Sequence, residues 1–171
     1  DARMTFRIFD DPSTMMSEIR KRNSEKQNSA RIVAGFCWPW SAPNADGSLV
    51  NDVKIGNFEM PWERKDQFWK WATDNSGMEQ VGTVYTAQGF EFDYIAVIFG
   101  NDLIYDPKLK SWKAVPKNSY DTQVTRNNPA LAQHFKNVYR VLMSRAHKGV
   151  YVYFMDKETE KYFRSHLPEI K

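Results

Sequence analysis

The run Asn137 to Lys148, NVYRVLMSRAHK, sets an arginine where arginines are rarely put. Arg145 falls three residues after Leu142 and seven after Val138, at the edge of an apolar helical stripe, so its guanidinium should leave the chain close to the core. A cation there must be paired or must meet an incoming anion, because an uncompensated buried charge costs several kcal/mol. Glu91 and Asp93 are candidate internal partners. The alternative is a phosphate, whose oxygens suit the planar guanidinium fork better than they suit an ammonium. Arg140 lies on another face and reads as solvated.

A second run, Gly82 to Asp93 (GTVYTAQGFEFD), lies between two expected strands. Its Gln88-Gly89 turn and the carboxylates of Glu91 and Asp93 place polar groups and a permissive glycine at a strand end, where open parallel sheets bind ligands. An ordinary exposed connection fits the same residues. A metal-dependent nuclease would have to converge Glu91, Asp93, Asp102 and Asp106, yet a whole buried strand separates Asp93 from Asp102. His134, His147 and His166 are too scattered for a metal site, and no metal ligand set is expected. His147 reads as an exposed residue at a helix end that could reach a phosphate. Trp38, Trp40, Trp62, Trp69 and Trp71 read mainly as buried anchors, with a base-stacking platform as the alternative. Cys37 reads as a small buried hydrophobe.

The elements that must position these residues follow from periodicity. Asp11 or Ser13 caps a helix to about Gln27. Arg31 to Phe36 reads as an apolar strand, Val81 to Tyr85 as a strand, Thr86 to Gly89 as a turn, and Tyr94 to Phe99 as a strand buried on both faces. A short helix is expected around Gln67 to Ala72 within an irregular aromatic stretch. Leu103 to Tyr105 and Ser111 to Val115 flank Asp106-Pro107-Lys108 as a hairpin on an insertion at about 100–128. A helix from Pro129 to Arg145, closed by Gly149, leads to the strand Val150 to Phe154, and Asp156 caps a last helix to about His166. Alternating strands and helices mean an α/β fold, a three-layer sandwich with a mostly parallel sheet.

The 171 residues suit one domain, taken as 1–171, and no apolar run approaches the roughly 20 residues of a bilayer span, so no membrane partner is expected. A single cysteine permits no internal disulfide, which points to a reducing compartment, the cytoplasm. A net charge of +3 decides nothing about nucleic acid. The start at Asp1, followed by a mixed stretch from Arg3 to Phe9, reads as a piece of a longer protein.

Taken together, GTVYTAQGFEFDYIAVIFG and NVYRVLMSRAHKGVYVYF resemble motifs V and VI of superfamily 1 helicases, in the second RecA-like domain of the motor. With RIVAGFCWPW and GNDLIYDP added, the chain resembles the bacterial family of Schlafen group 3-like DNA/RNA helicase domains. The resemblance implies a RecA-like, P-loop NTPase-type domain forming the C-terminal half of a nucleic-acid-dependent ATPase. Arg145 would be the arginine finger toward the ATP γ-phosphate, Gln88 and Gly89 the motif V turn, Glu91 a neighbour of the ribose, and Thr86 a contact to the nucleic-acid backbone. Ser144 stands where the family usually has threonine, and Gln88 where it often has a basic residue.

No G-x-x-x-x-G-K-[ST] run and no adjacent Asp-Glu pair occurs, so the chain lacks its own P-loop and metal-holding motif. By resemblance, ATP and Mg²⁺ would be held mainly by an upstream RecA-like domain of the same longer chain, with single-stranded DNA or RNA as partner. The piece alone should then bind no cofactor and hydrolyse nothing. A non-catalytic interaction module on a degenerate helicase fold is the alternative.

Overall fold

The uninterrupted apolar runs lie side by side at the centre of one sheet. The computed structural model describes residues 4–167, so Asp1 and Arg3, invoked above, lie outside the described residues. In chain order the elements are β1 (Thr5–Phe9), α1 (Pro12–Glu25), β2 (Ala30–Ala34), β3 (Val53–Ile55) and β4 (Phe58–Met60). Then follow α2 (Lys70–Thr73), α3 (Val84–Ala87), β5 (Phe92–Phe99), β6 (Leu103–Asp106), β7 (Ser111–Ala114), α4 (Thr122–Thr125), α5 (Leu131–Met143), β8 (Ala146–Phe154) and α6 (Lys157–His166).

The main sheet has the order β1-β8-β5-β2 with every pair parallel, and β3–β4 and β6–β7 are separate antiparallel hairpins. Alternation along the strands sends Ile32, Ala34, Ala96, Ile98 and Tyr153 to one face, where they meet Met15, Met16 and Ile19 of α1. Ile95, Val97, Phe99, Val150, Val152 and Phe154 go to the other, under Phe135, Tyr139 and Leu142 of α5. A strand covered on both faces must be apolar throughout, which is why these runs do not alternate in hydropathy. The result is the expected three-layer α/β sandwich with a parallel sheet, consistent with a RecA-like fold. The Asp11 carboxylate caps α1 by accepting from the Ser13 and Thr14 amides (2.6 and 3.2 Å), and Asp156 caps α6 through the Thr159 amide (2.8 Å).

Three expectations need correcting. Val81 to Tyr85 is not a strand: Val81 and Gly82 make single parallel bridges to Trp62 and Val33, and the chain then turns into α3. At Gly82 a side chain could not fit, since a Cβ would stand 2.3 Å from the Trp71 ring. The long helix stops at Met143 rather than Arg145, because Ala146 already pairs with Phe92. Gly149 therefore closes no helix. It lies within β8 facing Tyr94, whose ring would be 2.7 Å from an added Cβ. β1 and the β3–β4 hairpin had no distinct signal in the sequence.

The carboxyl ends of β2 and β5 are locked by one buried tyrosine. The Tyr139 hydroxyl donates to Asp102 Oδ1 (2.6 Å) and accepts from the Gly100 amide (2.9 Å). Burial pushes both the Asp102 carboxyl and the Tyr139 phenol upward, and the Cys37 thiol beside them is raised for the same reason. Cys37, expected as a small buried hydrophobe, is half-buried and packs against the core. Removing the hydroxyl leaves the Gly100 amide without its partner and takes one donor from the buried Asp102 carboxyl, so Tyr139→Phe should cost about 1–3 kcal/mol in urea unfolding. An unchanged midpoint and slope would show that the hydroxyl bonds carry no stability.

Candidate functional site

Parallel pairing of β5 with β8 brings the two chemistry-bearing runs to the same edge of the sheet. The Phe92 amide donates to the Arg145 carbonyl (2.8 Å), the last rung before the strands part. Arg145 thus stands in the turn immediately before β8, beside the Gln88-Gly89 turn and Glu91 that lead into β5. This is the amino-terminal edge of the strands, not the carboxyl edge where open parallel sheets usually take ligands and where the Tyr139–Asp102 lock lies.

Arg145 is half-buried and meets only neutral oxygens. Its Nε donates to the Val141 carbonyl (3.2 Å), Nη1 to the Gln88 carbonyl (3.3 Å) and Nη2 to Ser144 Oγ (3.0 Å). The carboxylates weighed as its partners are engaged elsewhere. Glu91 pairs with His147 Nε2 (3.0 Å), and Asp93 is clasped by Lys26 (3.1 Å) and Lys148 (3.0 Å). Hydrogen bonds from Lys148 and Lys26 hold the Asp93 carboxyl below its usual range. Among the described residues, Arg145 therefore has no anionic partner. A charge-assisted bond to an incoming anion is stronger than the bonds to neutral oxygens it makes here.

Gly89 adds space rather than conformation. It is not among the glycines with positive φ, and a Cβ there would meet nothing closer than the Thr86 carbonyl at 3.7 Å. The turn thus offers bare backbone to whatever approaches Arg145. Gln88 reaches back with its side-chain amide to the Tyr85 carbonyl (3.4 Å). His147 lies on β8 beside Glu91, not at a helix end, because β8 starts earlier than periodicity indicated.

Thr86 turns its hydroxyl inward. It donates to Oε1 of Glu63 (2.6 Å), which also accepts from the Thr83 hydroxyl (3.1 Å). Glu63 is 0 % exposed, and its Oε2 is buried with no partner among the described residues. Thr83 precedes α3 without capping it through its own side chain, so Glu63 is the residue that clamps this turn. No sequence pattern marked Glu63, which stands as one acid amid bulky apolar residues at Pro61-Trp62-Glu63.

The aromatic stretch resolves into two populations. Trp38, Trp62 and Trp71 are buried, with Trp62 bonding the Pro39 carbonyl and Trp71 the Gln80 carbonyl. Trp40 is half-buried, whereas Trp69 is 52 % exposed and stands edge-on to the exposed Phe68. Among the described residues no group of three His, Cys, Asp or Glu is placed to hold a metal, and Asp102 lies at the opposite sheet edge from Glu91 and Asp93. No described helix is long and apolar enough to cross a membrane.

The domain is thus a parallel α/β domain whose sequence holds no P-loop run and which presents, on one edge, an arginine without an anionic partner beside a bare turn. The family model for the Schlafen group 3 DNA/RNA helicase domain matches residues 1–156, and the chain belongs to that family. An uncharacterized protein of Saccharomyces cerevisiae is 29% identical over 164 residues, covering 90% of this chain and 35% of that protein. The chain thus spans about a third of that relative's length. No solved structure matches.

Desolvation pushes the Glu63 carboxyl up to about 7 against 4.5 ordinarily. A raised carboxyl binds its proton more tightly in the folded state, so the stability it contributes is complete below pH 4.5 and is lost as pH rises through 7. Relative to wild type, Glu63→Gln should therefore gain about 2–3 kcal/mol in urea unfolding between pH 5 and pH 8. Parallel stability profiles for the two proteins would show that Glu63 does not titrate there.

Proposed function

We propose that this helicase-family domain is the C-terminal RecA-like half of a nucleic-acid-dependent ATPase, and that Arg145 is its arginine finger. The observation that carries this reading is the guanidinium just before β8 held only by neutral oxygens beside the Gln88-Gly89 turn. An upstream RecA-like domain would supply the P-loop and the Mg²⁺ ligands that this chain lacks. The residues at the edge fit a nucleotide's outer phosphate. Arg145 can exchange two weak neutral bonds for charge-assisted ones, and the bare backbone at Gly89 lets the ligand come close.

In phosphoryl transfer the protein's contribution is positioning and charge stabilisation, and a finger arginine contributes about 10³ to 10⁵ in rate. Arg145 would neutralise charge growing on the equatorial oxygens. Glu91, oriented by His147, would face the ribose, where a carboxylate can accept from a hydroxyl. The bond from Arg145 to the Gln88 carbonyl and the clamp of Glu63 on Thr83 and Thr86 give a short path from the nucleotide to the turn that would lie along single-stranded DNA or RNA. Since the Thr86 hydroxyl is spent on Glu63, the contact to the strand at this turn would come from its backbone and from exposed neighbours. The exposed pair Phe68 and Trp69, flanked by Lys65 and Lys70, supplies ring faces on which bases could stack. Closure on ATP and opening after hydrolysis would then step the two halves along the strand.

The test is the ATPase rate of the full-length protein with and without single-stranded DNA or RNA. Arg145→Ala should lower the stimulated rate at least about a hundredfold while ATP binding persists. An unchanged rate in the variant, or no hydrolysis by wild type, contradicts the motor reading and leaves a binding module on a helicase-derived fold.

A further inference from the structure

The outer side of α5, away from Arg145, carries a feature the nucleotide reading does not use. Between α5, α6 and the β6–β7 hairpin lies a cleft of about 220 Å³. Phe99, Trp112, Tyr139 and Phe163 wall it, with Phe99 stacked on Tyr139 at 3.9 Å between ring centroids and Phe163 against Phe154 at 4.7 Å. Lys136 and Arg140 stand at its mouth. Four residues apart on one helix, they share a face. Among the described residues neither comes within 4.0 Å of a carboxylate; Arg140 has only a 3.4 Å bond to Asn137.

Three features choose the occupant. The volume is below the roughly 300–1,000 Å³ of pockets that hold drug-sized ligands or cofactors, and suits one bulky side chain. The free polar groups of the lining, the Lys136 ammonium, the Arg140 guanidinium and the Trp112 indole N–H, are all donors, since the Tyr139 hydroxyl is committed to Asp102 and the Gly100 amide. A nucleobase would find no acceptor for its own N–H donors, whereas carboxylates offer only acceptors to these three donors. The two cations at the rim, lacking internal partners, complement carboxylates next to the inserted group.

We propose that this cleft docks an acidic peptide segment of a protein partner, with one phenylalanine or similarly bulky apolar side chain inserted and flanking Asp or Glu residues set against Lys136 and Arg140. This inference is independent of the ATPase reading, because the cleft shares no residue with the Arg145 edge.

The experiment is a chemical-shift titration of ¹⁵N-labelled protein with the peptide Asp-Glu-Phe-Glu-Asp at up to about 1 mM, a range that detects weak anchors. Amides around Trp112, Lys136, Arg140 and Phe163 should shift in a saturable way. The Lys136→Glu/Arg140→Glu protein, changed only at the helix surface, should keep the wild-type spectrum elsewhere and bind at least about tenfold more weakly. A peptide with alanine in place of phenylalanine, or with lysines in place of the acids, should not shift these amides. Absence of any shift with the acidic peptide overturns the proposal. So does binding that survives the double charge reversal, stronger perturbation of the same amides by AMP, or shifts that depend on protein concentration alone and so indicate a second copy.

Discussion

The candidate site depends on one rung of the sheet, the Phe92 amide bonded to the Arg145 carbonyl. Parallel strands fix register by their pattern of buried faces, and β5 and β8 are buried on both, so a slip by one residue would send Val97 and Val152 to the wrong layer. Holding that register forces α5 to end at Met143 and sets Arg145 beside the Gln88 carbonyl. Gly149 permits it, since its missing side chain leaves room for the Tyr94 ring. The position of the arginine is thus a consequence of core packing, reached without any contact made for its own sake.

Two arginines, one fully buried and one half-buried, are held in different ways in this fold. Arg31 is wholly buried on β2 and makes six hydrogen bonds, to the carbonyls of Ala30, Trp71, Ala72 and Asp74 and to Asn23 and Asn28. Burial lowers it to about 10, and it staples the segment around α2 to the sheet. Arg145 has three neutral acceptors and an opening to solvent. Arg31 spends its donors inside the fold, whereas Arg145 keeps donors free at a solvent-facing edge.

Much of this was legible from residue pattern. The fully apolar runs at 94–99 and 150–154 can only be strands covered on both faces, and the i, i+3, i+4, i+7 stripe through Phe135 and Leu142 can only lie on them. Arg145 was conspicuous because a cation at the edge of such a stripe needs an explanation. Helix ends were less legible, since the stop at Met143 is set by a rung formed with a strand some fifty residues earlier. Arg31 sat within a run that reads as plain apolar strand, and Glu63 had no periodic context at all. Both are defined by what distant segments bring to them, which local pattern does not encode. The sorting of the tryptophans into buried anchors and exposed Trp69 was fixed in the same way, by which loop folds over which.

The most direct measurement is a structure of the full-length protein bound to ADP, aluminium fluoride and a single strand, which mimics the phosphoryl group in transfer. The Arg145 guanidinium should have left the Gln88 carbonyl and should lie at hydrogen-bond distance, about 3 Å, from a fluoride. A filled nucleotide site with Arg145 still on Gln88, and another cation at the fluorides, would contradict the role assigned to it.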